Sequence, residues 1–277
     1  MIGSWTVSDA ARVLRRPTAA DDKYSRGVLG VRTGSDGYPG AAVLGVEAAW
    51  RTGVGMVRYL GPSVPTSLVL QRRPETVAAP GRVQAWLIGS GTDATSRSDA
   101  ETEALRGILG ADLPVVVDAG ALDLAAGGTA PMIVTPHGRE HARLRAQLGL
   151  AEDFPATDAE RSASALETAA ALGATVVLKG AVTIVASASG WATTVSAGTP
   201  WLATAGTGDV LAGAIGAVLA GAGAGADLAA VASTGVWLHG RAGSLAAEGL
   251  GDQGGPITAL DVAAALPRAV GEALSAG

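Results

Sequence analysis

The chain has no cysteine, which excludes disulfide staples, thiolate zinc sites and cysteine nucleophiles. Aromatic residues make up only 4% of its 277 residues, with a single Phe, although 48% of the chain is hydrophobic. The core must therefore be built from closely packed Ala, Val and Leu. The six Trp are scattered without a stacking pattern and read as packing or interface residues. Positive charge is not in excess. Twenty Lys and Arg stand against 25 Asp and Glu, a net charge of −5, which gives no support to a nucleic-acid surface. A membrane span is not expected either. Val210–Ala226 carries no charge, but Ala and Gly dominate it and Asp227 ends it, as suits a buried helical hairpin. The N-terminus has Asp9, Arg12, Arg15 and Arg16 and no apolar leader segment, so a secretory signal is not expected. These absences fit a cytoplasmic setting. No linker or low-complexity tract divides the chain, so residues 1–277 are expected to form a single domain.

Glycine is abundant, with 40 residues, enough to serve many tight strand-to-helix turns. Short β-branched runs alternate with Ala-rich stretches. The expected strands are Val28–Arg32, Met56–Leu60, Ala85–Ile88, Val115–Asp118, Met132–Thr135, Thr175–Lys179 and Val182–Ala186. The expected helices are Gly40–Thr52, Asp99–Leu109, Arg139–Leu148, Asp158–Leu172, Val210–Ala220, Asp227–Ala247 and Thr258–Gly271. Strand runs without period-2 alternation indicate burial on both faces. The alternation of strands and helices predicts an α/β fold, a three-layer α/β/α sandwich with a mostly parallel central sheet. Ligands of such sheets bind at the carboxyl ends of the strands.

The polar and Gly-rich motifs fall at those ends. Thr204–Asp209 reads T-A-G-T-G-D and runs straight into an apolar helix. Its glycines bring backbone N–H groups to an anion at a helix N-terminus. Asp209 beside that cradle either caps the helix or takes a proton from a hydroxyl next to a phosphoryl group. Thr33–Ala42 is a Gly-rich turn whose Gly40, Ala41 and Ala42 let a ligand approach, or serve helix–sheet packing. Leu87–Asp93, L-I-G-S-G-T-D, puts Gly91 in a similar turn, and Asp118 ends a strand where it serves a site or caps a helix. Ile133–His141, I-V-T-P-H-G-R-E-H, contains the H-x-x-E-H pattern of inverted zinc proteases. That pattern needs both histidines well inside a helix, whereas Pro136 and Gly138 put His137 at the helix start. A His that hydrogen-bonds a substrate is the better reading, and Glu140 is placed to hold a phosphate-bound Mg²⁺ through water. Val176–Ala186 is two strands joined at K-G-A, where Lys179 is placed to meet a phosphate.

With these residues in hand the chain resembles the ADP-dependent (S)-NAD(P)H-hydrate dehydratase family, a carbohydrate-kinase-like group within the ribokinase-like fold. The resemblance rests on K-Y-S-R-G at Lys23–Gly27, Y-P-G-A-A at Tyr38–Ala42, I-G-S-G at Ile88–Gly91 and V-D-A at Val117–Ala119. It continues through T-P-H at Thr135–His137, L-K-G-A-V-T at Leu178–Thr183 and A-G-T-G-D-V-L-A-G at Ala205–Gly213. It implies a lyase that repairs hydrated NADH and NADPH. ADP or ATP phosphorylates the misplaced hydroxyl, and phosphate leaves as the ring double bond re-forms. Asp209 then corresponds to the base that activates the hydroxyl. Lys179, Gly180, Ala181, Val182, Thr183 and Gly208 correspond to the nucleotide site, and Ala41, Gly91, His137 and Asp209 to the substrate site. The resemblance further implies Mg²⁺ without a dedicated protein cage, a homotetramer, and an epimerase on a separate chain. Four segments depart from the family pattern: T-P-H-G-R-E for T-P-H-P-G-E, G-S-G-T-D for G-P-G-L-G, D-A-G-A-L for D-A-D-A-L, and T-G-S for G-G-S. A ribokinase-like kinase of a small alcohol and a catalytically inactive nucleotide-binding relative are the alternatives.

Overall fold

The computed structural model describes residues 3–277. Its strands are β1 (Gly3–Ser4), β2 (Val28–Arg32), β3 (Met56–Tyr59), β4 (Ala85–Ile88), β5 (Val115–Val117), β6 (Met132–Val134), β7 (Thr175–Leu178), β8 (Thr183–Ala186) and β9 (Ala192–Val195). They form one sheet in the order β3-β2-β4-β5-β6-β7-β8-β9-β1. All pairings are parallel except β7–β8 and β8–β9. The helices are α1 (Val7–Val13), α2 (Pro39–Thr52), α3 (Ser63–Arg72), α4 (Asp99–Leu109), α5 (Gly138–Gln147), α6 (Asp158–Leu172), α7 (Thr207–Gly221), α8 (Leu228–Ala247) and α9 (Ala259–Ser275).

Two cores flank the sheet, as a three-layer sandwich requires. Val116, Ile133, Val177 and Val185 turn toward α2, α7, α8 and α9. Their chain neighbours Val115, Val117, Val134, Val176 and Ile184 turn toward α4, α5 and α6. Both faces are apolar, so the period-2 signature is absent from the sequence although the strand geometry keeps it. The predicted strands are all present, most of them a residue shorter at one end. Asp118, Thr135 and Lys179 lie just past strand ends rather than inside strands, which frees their side chains for one another.

Four elements carry little sequence signal. β1 is two residues long, and β9 is the Thr-containing A-T-T-V. The seven-residue α1 buries only Ala10, and α3 buries only Pro65 and Val69. α9 runs through Pro267 and past the expected stop at Gly271 to Ser275.

α2 and α3 are joined by a charge cluster that its Ala-rich surroundings hide. Glu47 is fully buried and pairs with Arg51 at 3.1 Å, Arg72 at 3.2 Å and Arg73. Burial alone pushes its carboxyl up, but hydrogen bonds from Arg73, Arg51 and Arg72 outweigh it and hold Glu47 below the usual range. A depressed carboxylate stabilises the fold above its unfolded pKa, and that contribution is lost as pH falls. Glu47→Gln is expected to cost about 2 kcal/mol at neutral pH, less than a fully desolvated pair because the arginines reach water. The cost should shrink in acid. Denaturant midpoints across pH check this, and a variant matching the parent at neutral pH would rule the anchor out.

Candidate active site

The polar residues gather where β4, β5, β6 and β7 end, against the N-terminus of α7. Asp118 is buried just after β5. Its Oδ1 accepts from Thr135 Oγ1 at 2.7 Å and from Lys179 Nζ at 3.0 Å, and its Oδ2 accepts from Ser90 Oγ at 2.9 Å. It occupies the N-cap position of the 3₁₀ helix Ala119–Gly127 but makes no capping bond. Of its two sequence readings, capping is not what the structure shows. Ala119 adopts φ +48°, the left-handed region that costs a non-glycine residue roughly 1 kcal/mol. The chain turns there as soon as Asp118 has been delivered.

Lys179 reaches Asp118 from the end of β7, with Glu140 Oε2 at 3.7 Å. A Cβ on Gly208 would lie 3.7 Å from Lys179 Nζ, so the amine also abuts the G-T-G-D turn. Burial works against its charge. Asp118, Glu140 and Asp209 outweigh burial and hold the amine above its usual range.

Asp209 is the third residue of α7, following an N-cap at Gly206 whose φ of +87° is natural only to glycine. At four other helix starts the acid at that position, Asp9, Glu140, Glu160 or Asp261, folds back onto the N-cap N–H, whereas Glu101 of α4 pairs with Arg32 instead. Asp209 does neither, and its carboxylate has no hydrogen-bond partner among the described residues. The capping explanation therefore fails. Burial, and then the negative charge of Asp118, push its carboxyl up to about 7, with Lys179 pulling the other way. A base that shares its proton with water near neutral pH is matched to general-base work.

His137 is the N-cap of α5. Its Nδ1 accepts from the N–H groups of Arg139 at 3.2 Å and Glu140 at 3.3 Å, and its own N–H donates to Glu140 Oε2 at 2.8 Å. An accepting Nδ1 leaves the proton on Nε2. The ring is half-exposed, with Nε2 3.6 Å from Glu140 Oε1. His141 lies elsewhere, buried against Thr168 at 2.9 Å, with burial pushing it down to about 4. His137 and Glu140 meet but His141 lies apart from them, and no three metal-ligating side chains gather among the described residues.

Ala41 and Gly91, both expected at the substrate site, meet each other. A Cβ on Gly91 would lie 2.5 Å from Ala41 Cβ. Beside them opens a cleft of about 420 Å³ lined by Tyr38, Thr92, Asp93, Gly120, Glu140 and Arg143. Tyr38 stands at this cleft 62% exposed. Gly120, where the family pattern has Asp, is packed so that a Cβ would collide with the Thr92 carbonyl. Arg97 secures that corner by donating to Gly120 O and pairing with Asp123 at 2.7 Å. Ser90, Arg97 and Ala119 border this arrangement, and residue types and spacing did not single them out. Ser90 and Ala119 lay inside motifs, and Arg97 lay in none.

The family described as NAD(P)H-hydrate dehydratase matches residues 29–267. Among curated relatives, the bifunctional NAD(P)H-hydrate repair enzyme of Mycobacterium tuberculosis is 45% identical over 216 residues, covering 74% of this chain and 43% of that protein. The chain thus spans less than half the length of that relative. The ADP-dependent (S)-NAD(P)H-hydrate dehydratase of Neisseria meningitidis serogroup B is 36% identical over 83% of this chain and 80% of its own length. Among solved structures, the ADP/ATP-dependent NAD(P)H-hydrate dehydratase of Bacillus subtilis co-crystallized with ATP/Mg²⁺ superposes with a TM-score of 0.80. It is 28% identical and covers 97% of both chains.

Proposed function

The chain belongs to the NAD(P)H-hydrate dehydratase family, and from that membership we propose that it dehydrates hydrated NADH and NADPH with ADP or ATP as phosphoryl donor. The observation that carries this reading is Asp209, a buried, unpartnered carboxylate at the N-terminus of α7 beside Lys179. Asp209 takes the proton of the ring hydroxyl. The freed oxygen bonds to the terminal phosphorus of the nucleotide, whose bond to the bridging oxygen breaks. AMP leaves from ADP, or ADP from ATP. The C–O bond then breaks, phosphate departs with the electron pair, the adjacent ring carbon loses a proton and the double bond re-forms. Gly208 and the neighbouring N–H groups at the helix start stabilise charge on the transferring group. The sequence Lys179, Gly180, Ala181, Val182, Thr183 holds the nucleotide. Ala41, Gly91 and His137 line the nicotinamide side, with the Nε2–H of His137 as a donor.

Mg²⁺ would supply charge neutralisation on the nucleotide's phosphates. The donor set fits an ion that arrives with the nucleotide and keeps its waters, because both Asp118 oxygens are engaged and Glu140, which lines the cleft, is a carboxylate that would reach such a water. A homotetramer in the cytoplasm, served by a separate epimerase, is the setting this reading carries with it.

Mixing the protein with hydrated NADH, Mg²⁺ and either ADP or ATP should restore reduced-nicotinamide absorbance. No recovery with either nucleotide would sink the proposal.

A further inference from the structure

The turn joining β7 to β8 is gripped by one side chain from α6. Arg161 donates through Nη1 to the Val182 carbonyl at 2.7 Å, and through Nη2 to those of Leu178 at 3.3 Å and Lys179 at 3.4 Å. Asp158 steadies the same guanidinium at 2.9 Å. Thr183 Oγ1 donates to the Gly180 carbonyl at 3.3 Å. Gly180 lies so close to the guanidinium that a Cβ there would strike Arg161 Nη2. The carbonyls of Leu178, Lys179, Gly180 and Val182 are thus all engaged by the protein. The N–H groups of Gly180, Ala181 and Val182 have no hydrogen-bond partner among the described residues. A turn sorted in this way, with every carbonyl but that of Ala181 engaged and successive donors left over, is the arrangement that receives an anion.

We infer that Arg161 is a positioning residue for the nucleotide, holding Lys179–Thr183 in the conformation whose free N–H groups receive it. The inference rests on the proposed nucleotide role of this turn. The guanidinium is engaged by backbone carbonyls and Asp158, so it acts through the turn. It is suited to this by its planar fork, which bridges carbonyls on both sides of the turn where an ammonium would meet them one at a time.

The test is steady-state kinetics on the parent, Arg161→Ala and Arg161→Lys, with ADP and hydrated NADH varied separately. Arg161→Ala should raise the KM for ADP about tenfold, while the KM for hydrated NADH and kcat at saturating ADP stay within about twofold. Arg161→Lys should recover part of the loss. If Arg161→Ala does not fold, Arg161→Lys alone should still show a raised KM confined to ADP. An unchanged KM for ADP, or both KM values rising together, would overturn the inference while leaving an active parent intact. A parent inactive with every adenine nucleotide would instead overturn the functional reading, and this inference with it.

Discussion

Asp209→Asn is expected to lower kcat by about a thousandfold while the protein still binds nucleotide, in line with the loss of a positioned general base. The amide keeps the size of the carboxylate and the packing at the head of α7. It cannot accept a proton. Because no hydrogen bond within the described residues holds Asp209, the substitution breaks no capping interaction and leaves the helix start in place. The parent should also show an ascending limb in kcat/KM with an apparent pKa near 7, since the free base must be ionised and burial has pushed it up to about 7. Turnover is lost as pH falls through that value, and the limb has no counterpart in the variant. A variant that turned over like the parent would remove Asp209 from its assigned role.

Lys179→Met should have the second-largest effect, and it should appear in two measurements together. Nucleotide affinity should fall by about tenfold or more, because a partly buried positive charge beside the turn proposed to bind phosphate is gone. The ascending limb should also move to higher pH. Lys179 is the group that pulls Asp209 down, and without it burial and Asp118 act unopposed. Asp118→Asn should move the limb the other way, toward lower pH, because it removes the negative charge that raises Asp209. Calorimetric titration with ADP and a pH–rate profile on each variant check both. Unchanged affinity together with an unmoved limb would refute the coupling. The Met variant should lose stability as well, since Asp118 is left buried without its cation.

The sheet was legible because runs such as Val115–Val117 admit little else, and the G-T-G-D and K-G-A-V-T segments were legible as turns because they adjoin apolar runs and carry glycine. The environment of Asp209 was not legible. Its contrast with Asp9, Glu140, Glu160 and Asp261 depends on which way a side chain folds, and all five look alike as acids near helix starts. The Lys179–Asp118 pair links residues 61 positions apart, and β1 pairs with a strand some 190 residues later. Such contacts arise from topology and leave no local trace. Glu47 shows the same limit. A single acid in an Ala-rich helix reads as a solvated face, yet it is fully buried by arginines that come mostly from the end of another helix.

The collision at Gly120 constrains how this corner can be changed. The space a side chain would need there is filled by the Thr92 carbonyl, with Arg97 bound to the Gly120 carbonyl behind it. Any side chain at this one position would therefore fail to fit unless the 91–93 loop were reset with it. Position 120 and that loop form one steric unit although they are far apart in sequence, so Gly120→Asp alone should fold less well than the same change made together with a reset loop.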